Sequence, residues 1–227
     1  MITNNEFNSY YNMKLVLPED QREITLGEYQ KYMELLKRKD LSQFDFNKRK
    51  VKIFTGLSYD KVSKMKQSDL KDIIQTIDKA INTECEFVNR FKMNEVEFGF
   101  IPNFDDIKSK EYFDLTTYKT ELDTLHNLMA ILFRPIKKTQ GDSYKIAEYA
   151  GSKEWAEVMK RTPLNVVNGA LVFFYNLSNE LSNYTLKSTR QEQEKAKHQS
   201  ILRSGDGIRQ LINWLKGSPG SLNLSAK

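Results

Sequence analysis

The sequence predicts a mainly helical α+β protein: a helical N-terminal unit, a small antiparallel β element, and a long C-terminal helix with a polar extension. Three observations carry that expectation. Leu70, Ile73, Ile74, Ile77, Ala80 and Ile81 recur at steps of three and four, as one buried helix face requires. Between residues 86 and 101 the period shortens towards two, with Phe87, Phe91, Val96, Phe98 and Phe100 interleaved with Val88, Arg90, Lys92, Glu95 and Glu97, although Val88 and Asn89 blur the alternation. The two most apolar segments, Leu125-His126-Asn127-Leu128-Met129-Ala130-Ile131-Leu132-Phe133-Arg134-Pro135 and Gly169-Ala170-Leu171-Val172-Phe173-Phe174-Tyr175, are too short and too punctuated to span a bilayer. Burial against each other or against another chain is therefore expected.

Taken in order, residues 1–12 read as a polar arm and 13–186 as the body. The body divides into a helical unit over 26–82, a hairpin over 86–101 and a helical core over 114–186; residues 187–227 form a basic polar extension. Lys14-Leu15-Val16-Leu17 reads as a short strand stopped by Pro18, and a candidate partner for the hairpin. Thr25 is placed to cap a helix from Leu26 to about Lys37. A second helix is expected over Lys48–Phe54, ended by Gly56; Ser58 opens a short turn and Ser68 caps the helix that follows. The hairpin should turn near Met93-Asn94. From Asp114 a helical stripe of Leu115, Tyr118, Leu122, Leu125, Met129, Leu132 and Phe133 runs to Arg134, where Pro135 stops it. Residues 137–151 read as a polar loop, and Trp155 and Met159 as a short helix. Thr162-Pro163 marks the start of the last helix, from Leu164 past Tyr184 and as far as His198.

A chain of 227 residues, 39% hydrophobic and 29% charged, is long enough to bury a core and ordinary for a globular protein. The opening residues lack the basic and apolar regions of a secretory signal, so none is expected. One cysteine, Cys85, rules out an internal disulfide framework and a multi-cysteine metal site. Charge is uneven. Residues 187–227 hold eight basic and three acidic side chains, a net +5 that equals the net charge of the whole chain. That tail reads either as a solvated mixed-charge face or as a basic arm attracted to nucleic acid or an acidic partner.

Catalytic chemistry finds little to rest on. The two histidines, His126 in the apolar stretch and His198 in the tail, have no signalled partner to orient them. They lie 72 residues apart and, with one cysteine, give no zinc spacing. Asp105-Asp106 would need further oxygen ligands to hold a hard cation. Neither a phosphate-binding loop nor a dinucleotide fingerprint occurs. No catalytic residue, cofactor or metal is expected, and the chain reads as a non-enzyme.

Aromatic residues suggest contact surfaces instead. Three consecutive aromatics, Phe173, Phe174 and Tyr175, span about 200° of a helix, more than one core face buries. They are the candidates for subunit packing, although a second layer of the same domain also satisfies the pattern. Behind Gly205-Asp206-Gly207, the amphipathic segment bearing Ile208, Leu211, Ile212 and Trp214 is the candidate docking element; folding back on its own core is the competing reading.

One resemblance bears on function. Glu111-Tyr112-Phe113-Asp114-Leu115-Thr116-Thr117-Tyr118, then Leu125 to Pro135, Tyr149-Ala150-Gly151, and Pro163 with Gly169-Ala170-Leu171-Val172-Phe173-Phe174 come in an order that resembles small proteins from the structural regions of tailed bacteriophages, crAss-like phages included. Upstream, Ile24-Thr25-Leu26-Gly27-Glu28-Tyr29, Gly56-Leu57-Ser58 and Ser68-Asp69-Leu70 are similar to phage tail-assembly and baseplate proteins. The resemblance covers about residues 24–180 and implies no catalytic residues. It implies a tail or head–tail connector subunit, a tail-assembly chaperone or a packaged cargo protein. The partners would be other virion or assembly proteins or further copies of the chain. The implied location is the virion, or the host cytoplasm during assembly, with no membrane contact. A nucleic-acid-binding accessory protein using the basic tail is the alternative from another class.

Overall fold

Short-range capping chemistry sets most of the helix starts. In the computed structural model, residues 15–103, 107–118 and 122–173 are described, and they divide into two compact units. The first comprises residues up to Cys85 together with Lys160–Asn165. After a single 3₁₀ turn at Gln21–Glu23, helix α1 spans Leu26–Leu36 behind a capping box: the Glu28 N–H donates to Thr25 Oγ1 at 3.2 Å, and the Thr25 N–H to Glu28 Oε2 at 2.8 Å. Helix α2 (Gln43–Thr55) starts behind Ser42, whose hydroxyl accepts the Asp45 N–H at 3.1 Å. It therefore begins a turn before the expected Lys48. Gly56, at φ 69°, closes it in the left-handed conformation that glycine adopts without penalty.

A short helix α3 (Tyr59–Ser63) leads to α4 (Gln67–Ile81), whose Leu70, Ile73, Ile77 and Ala80 are buried as the periodicity requires. The N-cap is Lys66 rather than Ser68, which lies inside the first turn. The expected strand at 14–17 does not form over the described residues 15–17. Leu15 and Leu17 are buried while Val16 is 59% exposed, so the alternation follows burial rather than strand formation. Residues 160–165 are sewn onto the start of α1: the N–H groups of Leu26 and Gly27 donate to the carbonyls of Thr162 (2.9 Å) and Lys160 (2.8 Å), and Leu164 N–H to that of Ile24 (2.8 Å).

The second unit, Glu86–Met159 and the residues after Asn165, holds the sheet. Strands β1 (Arg90–Met93) and β2 (Val96–Phe100) form the predicted hairpin. Its two turn residues, Asn94 (φ 47°) and Glu95 (φ 66°), both take positive φ, as a type I′ turn demands. The third strand corrects the sequence reading. The predicted helix from Asp114 to Arg134 is broken into α5 (Ser109–Tyr118), a 3₁₀ turn at Leu122–Thr124, and α6 (Leu125–Leu132). The chain then passes directly from Leu132 into strand β3 (Phe133–Gln140). Proline forces Arg134 out of the helical region, but the extended backbone continues because Phe133 to Pro135 pair with Phe100 to Phe98.

Pro135 fits a central strand because β3 changes neighbours there. Phe133–Pro135 pair with β2, Ile136–Gln140 with β4 (Ser143–Ile146), and the Pro135 carbonyl accepts the Ala147 N–H at 2.8 Å. Residues 137–146 are thus a hairpin, not the expected polar loop. The sheet order is β1-β2-β3-β4, antiparallel throughout, so the partner of the first hairpin is β3 and not residues 14–17. Helix α7 (Lys153–Met159) follows, and the last helix, α8, is described over 164–173.

Phe98 and Phe133 are fully buried within this unit, and their rings join Phe91, Phe100 and Trp155 at centroid separations of 5.1 to 5.5 Å. Each such side chain contributes about 1.5–3 kcal/mol by leaving water.

Candidate functional site

Helix α5 is built the wrong way round for a helix on an apolar core. Glu111 and Asp114 face inward, whereas Tyr112 is partly exposed and Phe113 is 68% exposed. The inner contact is polar. Arg134 Nη2 donates to Glu111 Oε1 at 2.7 Å, with Arg134 9% and Glu111 3% exposed. Beside it, the Tyr149 hydroxyl donates to Asp114 Oδ2 at 2.6 Å, and the guanidinium carbon lies 5.8 Å from the centre of the Tyr149 ring.

Burial dominates the electrostatics. It raises the Glu111 carboxyl above the usual carboxylate range, against the opposing pull of Arg134. Burial also lowers the Arg134 guanidinium, while the hydroxyl of Tyr149 is pushed well above its ordinary value, first by burial and then by the bond to Asp114.

Over this network lies a shallow cleft of about 70 Å³, walled by Ala130, Ala147, Ala150, Tyr149 and Trp155, with Lys137 and Glu154 at its rim. Its volume is well below the roughly 300 Å³ at which pockets begin to enclose a small-molecule ligand. Arg134 Nε is buried without a hydrogen-bond partner, but the atom is sealed from solvent and therefore offers no contact to a molecule entering the cleft. Chemically the arrangement clamps α5 to β3 and to the segment after β4.

Of the residues singled out by sequence, Phe173 lies at the end of the described part of α8. It is half-buried, stacked on Phe87 at 4.7 Å and edge-on to Phe100 at 5.5 Å, so its ring extends the unit's own aromatic cluster. Phe174, Tyr175, Ile208, Leu211, Ile212 and Trp214 lie outside the described residues, as do Asp105, Asp106 and His198. His126 is half-buried, with Nε2 3.3 Å from Asn127 Nδ2. Burial raises the thiol of the half-buried Cys85, away from the range of a reactive thiolate. Among the described residues, no group of three or more His, Cys, Asp or Glu side chains is placed to hold a metal ion. No helix among them is long and apolar enough to cross a membrane.

Sequence reasoning missed the Glu111–Arg134 pair. Its signal was an arginine inside the most apolar stretch of the chain, a position that demands a buried counter-charge. Comparison with known proteins finds no matching family model, no matching curated protein and no matching solved structure.

Proposed function

We propose that this chain is a non-enzymatic structural or assembly component of a tailed bacteriophage, in the tail or head–tail connector region, acting through protein–protein contacts. The observation that carries the reading is the outward aromatic surface of α5, where Phe113 is 68% exposed on a helix whose inner face is already anchored by Glu111 and Asp114. Contiguous exposed apolar surface marks protein–protein contact sites, and aromatic side chains are enriched there. The ordered resemblance of residues 24–180 to phage structural-region proteins supplies the biological setting, and multiple copies per assembly follow from it. Its neighbours would be other virion or assembly proteins, in the particle or in the host cytoplasm during assembly.

Within this reading a virion subunit, a tail-assembly chaperone and a packaged cargo protein differ in where the chain ends up. Mass spectrometry of purified particles and of assembly intermediates from infected cells tests all three. Presence at many copies per particle identifies a structural subunit and presence at few identifies cargo. Absence from particles with retention on a tail intermediate identifies a chaperone. Absence from both overturns the proposal. Phe113→Asp is expected to release the chain from its assembly.

A further inference from the structure

The β3–β4 hairpin carries a positive surface that begins at the cleft beside the α5 contact, where Lys137 stands with Glu148 and Glu154, and the hairpin's register creates it. Ile136 pairs with Ile146 and Lys138 with Lys145, so β3 takes two steps where β4 takes one, a β-bulge. A Cβ placed on Gly99 would lie 3.0 Å from Ile136 Cγ1 and would overlap the Tyr144 ring. Ile136 and Tyr144, with its cross-strand partner Thr139, therefore point to the β2 side of the ribbon. Strict alternation would place Lys137 and Lys138 on opposite sides. The bulge turns both outward in succession, and Lys145, directly opposite Lys138, joins them. All three side chains are exposed.

Like charges directly opposite one another across a ladder are destabilising. None of the three lysines has an ion-pair partner among the described residues. Gln140 and Ser143, the pair nearest the turn, share the outer side and add neutral hydrogen-bonding groups. Such a surface complements a polyanion.

We infer that the outer side of the β3–β4 ribbon binds the phosphate backbone of a nucleic acid through Lys137, Lys138 and Lys145. This goes beyond the protein contacts proposed above. Ammonium groups act on phosphate as compact point charges, so three of them on one ribbon follow a backbone of regularly spaced phosphates. The inner side of the ribbon is occupied: the Tyr144 hydroxyl donates to the Phe100 carbonyl at 2.9 Å, and the Arg90 guanidinium donates to the Asp142 carbonyl. Contacts of this kind would hold a phosphate backbone without reading base edges.

The test is fluorescence anisotropy of the full chain with a labelled DNA duplex across a salt series, repeated with Lys137→Gln/Lys138→Gln/Lys145→Gln. Three phosphate contacts contribute about −2.7 to the slope of log affinity against log salt, so the triple variant should flatten the plot by that amount. Over a fourfold rise in salt, the wild type then loses about 40-fold more affinity than the variant. Each single replacement should flatten the slope by about 0.9, which keeps the test open if the triple variant folds poorly. Identical slopes for wild type and variants overturn the inference and move the charge contacts elsewhere, for example to Lys187–Lys227. So does the absence of duplex binding at low salt. Polyglutamate binding as tightly as the duplex at equal charge also overturns it and assigns the ribbon to an acidic protein.

Discussion

Replacing Glu111 by leucine removes one partner of a buried ion pair and leaves the other. Glu111 is 3% and Arg134 9% exposed, and the bond between them is 2.7 Å long. Without the carboxylate, the Arg134 guanidinium stays in a site where burial already disfavours its charge, with Nε unsatisfied. Breaking such a pair costs about 3–5 kcal/mol, whereas replacing both partners by apolar side chains of similar size is neutral or stabilising by about 1–4 kcal/mol. Glu111→Leu should therefore destabilise the second unit by about 3–5 kcal/mol, and Glu111→Leu/Arg134→Met should return it to the wild-type value or above. The assay is urea unfolding followed by Trp155 fluorescence in a Trp214→Phe background, since Trp155 stands edge-on to the buried Phe98 of the same unit. The reasoning is refuted if the single variant loses less than about 1 kcal/mol, or if the double variant remains as unstable as the single.

Gly99→Ala should cost roughly 1–3 kcal/mol, because the new methyl would overlap Tyr144 Cε2 and lie 2.8 Å from Cδ2. Adding Tyr144→Ala should recover part of that loss in the same unfolding measurement. Glu95→Gly should raise stability by about 1 kcal/mol, since Glu95 holds φ 66° in the turn between β1 and β2; a lowered urea midpoint would contradict the type I′ assignment. Tyr32 gives a pH prediction: burial, then the nearby Asp78 carboxylate, pushes its hydroxyl up to about 12 from 10.0. The unfolded chain releases this proton first, so the contribution is complete below pH 10 and is lost as pH rises towards 12. The loss is at most about 2–3 kcal/mol, and Tyr32→Phe should abolish it; parallel alkaline unfolding curves for the two proteins would count against it.

Much of the helical framework was legible because it is written locally. Thr25 and Glu28 lie three residues apart and make their capping box whatever surrounds them. Leu70, Ile73, Ile77 and Ala80 define a face through helix geometry alone, and Gly56 ends α2 as glycine does at many helix ends. The first hairpin showed in its alternation, although Glu95, unlike Asn94, is an unusual choice for a positive φ angle. Conversely, residues 137–146 looked like a polar loop because their outward side chains are polar and the bulge erases the alternation. The inward contact of Tyr144 with Gly99 would have revealed a strand, but it links residues 45 positions apart.

By itself the sequence determined the fold class, the Thr25 cap, the buried face of α4 and one hairpin, since each depends on residues within a turn or two of one another. Only the tertiary structure decided that Phe133 leaves the helix to pair with Phe100, that Arg134 meets Glu111, and that Lys137, Lys138 and Lys145 gather on one side of a ribbon. Those outcomes rest on pairing partners distant along the chain. A backbone ladder or a buried counter-charge overrides local preference only once folding has brought the two ends together.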